Sequence, residues 1–107
     1  MTGLHHREIG VVGAGLLDAA LKLEVIADGI HLCPDMLRLI FQLVSIDRLM
    51  LVTDSIAASW LGEGVVTLGG LPVTVKGGVA RLAAGGALAG SALRYNEGVR
   101  NVAEFTG

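Results

Sequence analysis

The order of apolar and polar residues predicts alternating strands and helices in the first half of the chain. Residues 49–54 run from four apolar residues into Asp54, a pattern typical of a strand buried on both faces. Residues 21–28 predict an earlier strand. Between the two, Pro34 suits a first helical turn, and apolar residues with helical spacing predict a helix over 34–45. Strand, helix and strand with short connections predict a parallel βαβ unit.

The other segments predict smaller elements around this unit. Residues 1–10 are interpreted as a polar loop, and 11–20 as a short helix. Short apolar runs separated by glycine pairs over 65–82 predict a meander of two or three small strands, with Pro72 in an edge strand. A glycine- and alanine-rich loop over 83–91 leads into a last helix from Ser91 to Glu104. The predicted organisation is therefore one unit: 1–54, loop-helix-strand-helix-strand; 55–90, meander and loop; 91–107, terminal helix.

The predicted topology brings an aspartate and a histidine to the same edge of the sheet. Asp54 ends one strand, and His31 lies just past the end of the other. In open α/β sheets and α/β barrels the chemistry lies at the carboxyl ends of the strands, and adjacent strands are about 4.8 Å apart. Asp54 is the first candidate catalytic residue, and His31 could share its pocket. A purely structural role for His31 stays open.

Two further segments are candidates for binding an anion. Arg7 carries a planar guanidinium that matches phosphate oxygens. The loop over 83–91 would let backbone amides approach a ligand closely, although by composition alone a flexible tether is the better explanation. His5 and His6 are adjacent, so they do not share a face as a chelating pair would. Gly13-Ala14-Gly15 is not a dinucleotide motif, because Asp18 stands in place of the third glycine.

The composition is too apolar for an independent domain of this size. Hydrophobic residues make up 52% of the 107 residues, and charged residues make up 17% against a usual value of about 25%. A small domain has proportionally more surface and should be more polar than average. The chain is therefore interpreted as a piece of a larger protein. The alternative interpretation is an obligate oligomer that buries the excess of apolar surface. A homo-oligomer is the expected state of association.

Charge and cysteine content limit the possible partners and location. The formal net charge of −2 provides no positive field for nucleic acid or for an anionic membrane, so neither is expected as a partner. No basic-then-apolar leader and no apolar run of about 18 residues is present. The one cysteine, Cys33, excludes an internal disulfide and suits a reducing cytoplasm, so a cytoplasmic location is expected.

Five collinear stretches together resemble the later part of the N-acetylglucosamine-6-phosphate deacetylases, a family of metal-dependent amidohydrolases. The resemblance covers essentially the whole chain but only about a quarter to a third of a family enzyme. The stretches are LHHREIGVVGAGLLD (4–18), IADGIHLCPDMLRL (26–39), RLMLVTDSIAA (48–58), LGG…VTV…GVARLA (68–83) and LAGSAL…GVRN (88–101). The fold that this resemblance implies is α/β, a partial (β/α)8 TIM barrel consisting of the last strand–helix units, with a small β-hairpin or meander insertion.

The resemblance also implies roles for individual residues. Asp54 matches the aspartate that acts as general base on a metal-bound water and then as general acid to the leaving amine. His31 matches a histidine that contacts the sugar, and Arg7 matches a basic residue near the phosphate of the substrate. The substrate-contacting loop corresponds to Leu88, Ala89 and Gly90. A metal lowers the pKa of bound water, and a nearby carboxylate can shuttle its proton.

The chain departs from the family pattern in its metal ligands. The family binds a divalent metal of the zinc or iron type through a glutamate and two histidines from earlier strands, and none of these ligands matches a residue here. This chain alone is therefore expected to bind no metal. A second departure is Leu93-Arg94-Tyr95, which stands where the family has a Leu-Thr-Met-like run.

The functional hypothesis is a piece of a cytoplasmic amino-sugar hydrolase. Its parent chemistry is hydrolysis of N-acetylglucosamine 6-phosphate, an amino-sugar phosphate, to glucosamine 6-phosphate and acetate. The chain by itself is expected to be inactive. Two alternatives remain open: a non-catalytic α/β module that self-associates through its apolar excess, and an amidohydrolase of other specificity, such as a deaminase.

Overall fold

The computed structural model describes residues 2–107 as a mixed α/β structure with two sheets, and Met1, the first residue of the predicted loop, lies outside this range. The elements in chain order are α1 (Gly10–Leu17), β1 (Leu23–Ile26), α2 (Pro34–Leu43), a 3-10 turn (Ile46–Arg48), β2 (Leu49–Val52), α3 (Ala58–Leu61), β3 (Gly64–Leu68), β4 (Leu71–Lys76), β5 (Val79–Leu82) and α4 (Tyr95–Thr106).

The predicted βαβ unit is confirmed, because β1 and β2 pair in parallel on either side of α2. The register runs from Leu23 opposite Leu49 to Ile26 opposite Val52. Each strand is shorter than predicted: the regular pairing stops two residues before Asp28 and two residues before Asp54. Both carboxyl ends therefore lie at the same edge of this sheet.

The main core fills the space between this sheet and its helices. It centres on Val25, Ala27, Leu37, Ile40 and Val44, all buried, with residues of α4 packed against them. Burial of an aliphatic side chain such as Leu37, which is completely inaccessible, stabilises the fold by about 1.5–3 kcal/mol. These residues explain the predicted helix, because the α2 positions with helical spacing are those that face the core.

Gly98 shows why a glycine occurs inside α4. A Cβ atom at this position would lie 3.2 Å from Cδ2 of Leu93 and 3.7 Å from Cδ2 of Leu51. The helix therefore approaches β2 at a point where there is little room for a side chain. Glycine at position 98 costs about 1 kcal/mol of helix stability relative to alanine, and it permits this close packing.

The second sheet is the predicted meander, with strand order β3-β4-β5 and antiparallel pairing. The prediction that Pro72 lies in an edge strand is wrong, because β4 is the middle strand. Pro72 is tolerated near the start of β4 because pairing with β5 begins only at Val73. The meander has a small core of its own, built on buried Val73, Val75 and Ala80 together with Ala58 of α3.

Three helical predictions need correction. The first helix spans Gly10–Leu17 rather than 11–20, and the loop predicted around Trp60 contains the short helix α3. The last helix begins at Tyr95 rather than Ser91, because Ser91 is engaged in extended pairing with the segment after β2. Within residues 2–107, no helix has the length and apolar character needed to cross a bilayer.

Arg48 fixes the start of β2 to the end of α1. Its side chain is buried, and its guanidinium donates hydrogen bonds to three backbone carbonyl oxygens: Leu21 at 2.9 Å, Gly15 at 2.7 Å and Asp18 at 2.6 Å. Two of these carbonyls belong to the end of α1 and the residue that follows it, where carbonyl groups have no partner within the helix. A positive charge at a helix carboxyl end is also favourable.

The pKa of a neighbouring carboxylate in the same turn, Asp47, is lowered. The Ser45 hydroxyl donates a hydrogen bond to Asp47, and this bond, together with the nearby charges of Lys22 and Arg48, holds the pKa of the Asp47 carboxyl below its usual value. Asp47 lies before β2, at the end of the strand opposite to Asp54. The perturbed group therefore belongs to the turn and not to the candidate site.

Replacement of Arg48 is expected to destabilise the fold. R48A removes three charge-assisted hydrogen bonds from a buried position, so the free energy of unfolding should fall by about 3 kcal/mol. R48K should be intermediate, because an ammonium lacks the planar fork that reaches several carbonyls. Urea denaturation measures both. The control is R38A: Arg38 pairs with Asp35 on an exposed helix face, and its loss should cost less than about 1 kcal/mol. Equal losses for R48A and R38A would contradict this role.

Candidate functional site

Asp54 has a strained backbone directly after β2. Its φ of 48° is the one positive value at a non-glycine residue within residues 2–107. Aspartate tolerates this left-handed conformation better than most residues, at a cost that the surrounding structure must offset. The side chain is exposed, and the backbone carbonyl accepts a hydrogen bond of 2.8 Å from the Ser91 N–H. The chain turn at Asp54 is thus held from the segment around Ser91.

Ser91, which the sequence patterns did not select as a candidate, holds the backbone of the candidate site. It is buried, and its N–H and C=O form a parallel bridge with the segment after β2, donating to Asp54 and accepting from Ile56 at 3.0 Å. Its hydroxyl donates to the Thr53 carbonyl oxygen. In the sequence it stands in the stretch LAGSAL, directly after Gly90, and the pattern there predicted the start of a helix.

The loop Leu88–Gly90 lies between the meander and Asp54. Ala89 is buried, and its N–H donates to the Ala80 carbonyl at 3.0 Å, while Leu88 bridges to β5. Gly90 has a φ of 64°, and a Cβ at this position would lie 2.6 Å from Cγ2 of Ile56 and 3.0 Å from the carbonyl oxygen of Asp54. The same Cβ would be 3.9 Å from Oδ2 of Asp54. The structure therefore brings this loop and Asp54 together, and glycine is required at their contact.

His31 lies after the carboxyl end of β1, as predicted, and contacts an aspartate that the sequence reasoning did not select. Nδ1 of His31 is 2.7 Å from Oδ2 of Asp28. Oδ1 of Asp28 accepts two further bonds of 2.8 Å from the N–H groups of Ile30 and His31. An Asp-Gly pair followed by a histidine is a recognisable turn signal, because aspartate side chains bond to backbone groups two residues on.

The last helix supports this turn from behind. Nδ2 of Asn101 donates to the carbonyl oxygen of Ala27 at 2.8 Å, directly before Asp28. The ring of Phe105 lies 3.6 Å from the position that a Cβ of Gly29 would occupy. The turn that carries His31 is thus held by two contacts with α4, each between residues more than 70 positions apart in the sequence.

The structure does not show His31, Asp54 and Arg7 in one pocket. His31 lines a cavity of about 440 Å³ between α1, β1 and α2, whose other walls are mostly apolar and do not include Asp54. The Arg7 guanidinium is exposed and contacts Nε2 of His6 at 2.8 Å. The shared pocket therefore stays a prediction, although the parallel strands on which it depends are confirmed.

The described residues do not fit a metal ion by themselves. Within residues 2–107, no group of three or more His, Cys, Asp or Glu side chains is close enough to hold one. His5 and His6 stack with ring centroids 4.4 Å apart and Nδ1 of His5 accepts from the Arg7 N–H, so these rings bond within their own loop.

Comparison with known proteins identifies relatives over the full length of the chain. The N-acetylgalactosamine-6-phosphate deacetylase of Escherichia coli O157:H7 is 49% identical over 107 residues, all of this chain and 28% of that protein. The N-acetylglucosamine-6-phosphate deacetylase of Bacillus subtilis is 46% identical over 106 residues, 99% of this chain and 26% of that protein. No protein-family model matches the chain.

Solved structures agree with these sequence matches. The crystal structure of N-acetylglucosamine-6-phosphate deacetylase from Thermotoga maritima superposes with a TM-score of 0.91 at 50% identity, over 99% of this chain and 29% of that one. A Mycobacterium smegmatis deacetylase, an aspartate-to-alanine variant in complex with N-acetyl-D-glucosamine-6-phosphate, superposes with a TM-score of 0.94 at 36% identity, over 100% of this chain and 28% of that one. The predicted resemblance to the N-acetylglucosamine-6-phosphate deacetylases is confirmed.

Nearly all of this chain is matched, but the chain covers only part of each deacetylase. The chain spans between 25% and 63% of the length of the curated relatives that it matches. Because the solved deacetylases contain this α/β arrangement as about 29% or less of their chains, the present fold is one region of theirs.

Gly90 provides a test of the contact between the loop and Asp54. G90A should lower the free energy of unfolding through both its left-handed φ and the clash with Ile56. G86A is the matched control, because Gly86 has a φ of 67° but nothing within 4 Å of its Cβ position. The control should lose about 1–2 kcal/mol for the conformation alone. G90A should lose at least about 1 kcal/mol more, because overpacking adds about 1–3 kcal/mol. Equal losses in urea denaturation would contradict the close contact.

Proposed function

We propose that this chain is the part of an N-acetylglucosamine-6-phosphate deacetylase that supplies the proton-transferring carboxylate and part of the substrate site. The observation that carries the proposal is Asp54, held in a left-handed conformation at the carboxyl end of β2 beneath the Leu88–Gly90 loop. Strained residues concentrate at functional sites, where the surrounding structure fixes them. The relatives named above support the reaction and the amino-sugar phosphate as its substrate.

The proposed chemistry is amide hydrolysis. A water oxygen bonds to the acetyl carbon and the amide C–N bond breaks, giving acetate and the free amine. Asp54 accepts a proton from the attacking water and returns it to the departing nitrogen, a transfer that requires a carboxylate within hydrogen-bond reach of both. His31 would contact the sugar, Arg7 would lie near the phosphate, and Leu88, Ala89 and Gly90 would form the substrate-contacting loop.

A divalent metal of the zinc or iron type belongs to this proposal, but the described residues do not hold it. Its ligands would come from segments other than residues 2–107, and when bound it would lower the pKa of the attacking water. One cysteine, free and exposed, supports the proposal that the protein works in a reducing cytoplasm.

We also propose that the parallel unit is part of a (β/α)8 barrel. The residues of β1 and β2 alternate, with Val25 packed on the helices and Glu24 and Met50 exposed on the other face of the sheet. Ser91 adds a third parallel segment beside the end of β2. Successive parallel segments with helices on one face are the repeating units of such barrels, and the exposed face would be the barrel interior.

The identity of the sugar has two candidates. N-Acetylglucosamine 6-phosphate is supported by the Bacillus, Thermotoga and Mycobacterium proteins, and N-acetylgalactosamine 6-phosphate by the Escherichia coli O157:H7 relative at 49% identity. The two substrates carry the same acetamide and phosphate, so Asp54 and Arg7 would serve either one. Discrimination between them would depend on contacts to the remaining hydroxyl groups of the sugar.

Activity can be tested in a chimaera in which residues 2–107 replace the corresponding region of the Thermotoga maritima enzyme. The chimaera should release glucosamine 6-phosphate, whereas the purified 107-residue chain with added zinc should not. D54N in the chimaera should lower kcat by about 10²–10⁴-fold, because asparagine cannot accept and return the proton.

The controls for this chimaera separate folding from chemistry. Asparagine tolerates the left-handed conformation as aspartate does, so D54N should fold. D35N changes an exposed carboxylate at the start of α2 and should leave kcat unchanged. An active D54N chimaera would overturn the proposed role of Asp54. Deacetylation by the isolated chain would overturn the proposal that the metal ligands lie outside residues 2–107. Parallel assays with both sugar phosphates would assign the preferred epimer.

Self-association is a second proposal, favoured by the apolar surface. Large hydrophobic side chains are strongly exposed at Leu17 (77%), Leu61 (71%) and Val65 (72%). Large apolar side chains that are exposed in this number are compatible with a protein interface or with coverage by the rest of a larger protein. Sedimentation velocity of the purified chain should therefore show dimers or larger species at micromolar concentration. A monomer that persists at all concentrations would contradict homo-oligomerisation.

A further inference from the structure

The contact between Asp28 and His31 is more elaborate than a turn requires. Oδ1 of Asp28 already accepts the N–H groups of Ile30 and His31, and these two bonds are sufficient to close the turn. Oδ2 is free for another partner and lies 2.7 Å from Nδ1 of His31. The Asp28 side chain is only 7% exposed, and that of His31 is 21% exposed. An oxygen so far removed from water is stabilised by a hydrogen-bond donor, and Nδ1 of His31 is the atom in position to donate to Oδ2.

We propose that Asp28 is a positioning residue that fixes hydrogen on Nδ1 of His31 and thereby presents Nε2 to the substrate. This proposal rests on the proposed function, in which His31 contacts the sugar. An ionised carboxylate only accepts hydrogen bonds, so a 2.7 Å contact requires hydrogen on Nδ1. The hydrogen bond made by one ring nitrogen determines the state of the other. In the neutral ring Nε2 is then an acceptor, suited to a sugar hydroxyl that donates.

The backbone around Asp28 is held by contacts with α4, which supports a fixed position for the Asp28 carboxylate. Asn101 of α4 donates to the carbonyl oxygen of Ala27, the residue before Asp28, at 2.8 Å. Ala27 is completely buried, and Phe105 covers the Gly29 side of the turn. Of the two ring nitrogens of His31, Nδ1 has a hydrogen-bond partner among the described residues, and Nε2 has none there. The ring is therefore anchored at one nitrogen, and the other remains for a ligand.

The tautomer of His31 is measurable by ¹⁵N NMR of the full 107-residue chain at pH 8, above the usual histidine pKa of about 6.5. H31Q identifies the His31 resonances among the three histidines. In the unaltered chain, Nδ1 of His31 should have a pyrrole-type shift with an attached hydrogen. In D28N, the asparagine keeps an oxygen for the backbone N–H groups but places an amide donor beside the ring. Nδ1 should then lose its hydrogen and move to the pyridine-type range.

The matched control is D18N. Asp18 makes the same kind of turn, with Oδ1 accepting the Ala20 N–H at 2.9 Å, but it contacts no histidine. D18N should leave the His31 nitrogen shifts unchanged, whereas a merely structural role of Asp28 predicts no tautomer change in D28N. A pyridine-type Nδ1 in the unaltered chain, or a hydrogen that stays on Nδ1 in D28N, would overturn the proposal. Because the first of these measurements uses the unaltered chain, misfolding of D28N would not prevent the test.

Addition of N-acetylglucosamine 6-phosphate to the chimaera described above separates this inference from the proposed function. D28N in the chimaera should raise KM with little change in kcat, because Asp54 and the water that it activates are untouched. A hydrogen-bearing Nδ1 in the isolated chain, combined with an H31Q chimaera of unchanged KM, would retain the positioning role of Asp28 and reject the substrate contact of His31. A pyridine-type Nδ1 would reject the positioning role whatever the chimaera does.

Discussion

The parallel pairing of β1 with β2 determines where the candidate residues of this chain lie. Four residue pairs, from Leu23–Leu49 to Ile26–Val52, direct both strands the same way and bring their carboxyl ends to one edge. Asp28 and Asp54 each follow two residues later, so the turns that carry them begin side by side. If the strands were antiparallel, these two aspartates would lie at opposite ends of the sheet, and no common site could include both.

The pairing alone does not shape the site; two distant segments complete it. Ser91 binds the backbone on both sides of Ser55 and so holds Asp54 in its left-handed conformation. Asn101 and Phe105 hold the turn that contains Asp28. Both sets of contacts join residues far apart in sequence, so the last third of the chain positions the groups that the first half provides. The alternative that 83–91 is a flexible tether is accordingly contradicted by the buried Ala89 and Ser91 within it.

Relatives of known structure place this arrangement inside a larger fold. The chain superposes on about 28–29% of two solved deacetylases with TM-scores above 0.9, so its backbone has the conformation of the corresponding region of those proteins. The high apolar content found in the sequence is consistent with this, since the exposed face of β1 and β2 and the apolar helix surfaces would be covered by the rest of such a protein. The composition predicted that the chain is a piece of a larger protein. The exposed side chains of Leu17 and Leu61 are examples of the apolar surface on which that prediction depends.

The sequence by itself determined the local pattern: the βαβ unit, the glycine-punctuated meander, the aspartate after a buried strand, and a family resemblance carried by five short stretches. These follow from hydrophobic periodicity and turn chemistry, which act between near neighbours. Only the tertiary structure decided that β4 is the central strand despite Pro72, that Ser91 pairs with the end of β2 instead of starting a helix, and that Asp28 holds His31. Each of those depends on contacts between residues separated along the chain or on the orientation of one side chain, and neither is encoded in a periodic pattern.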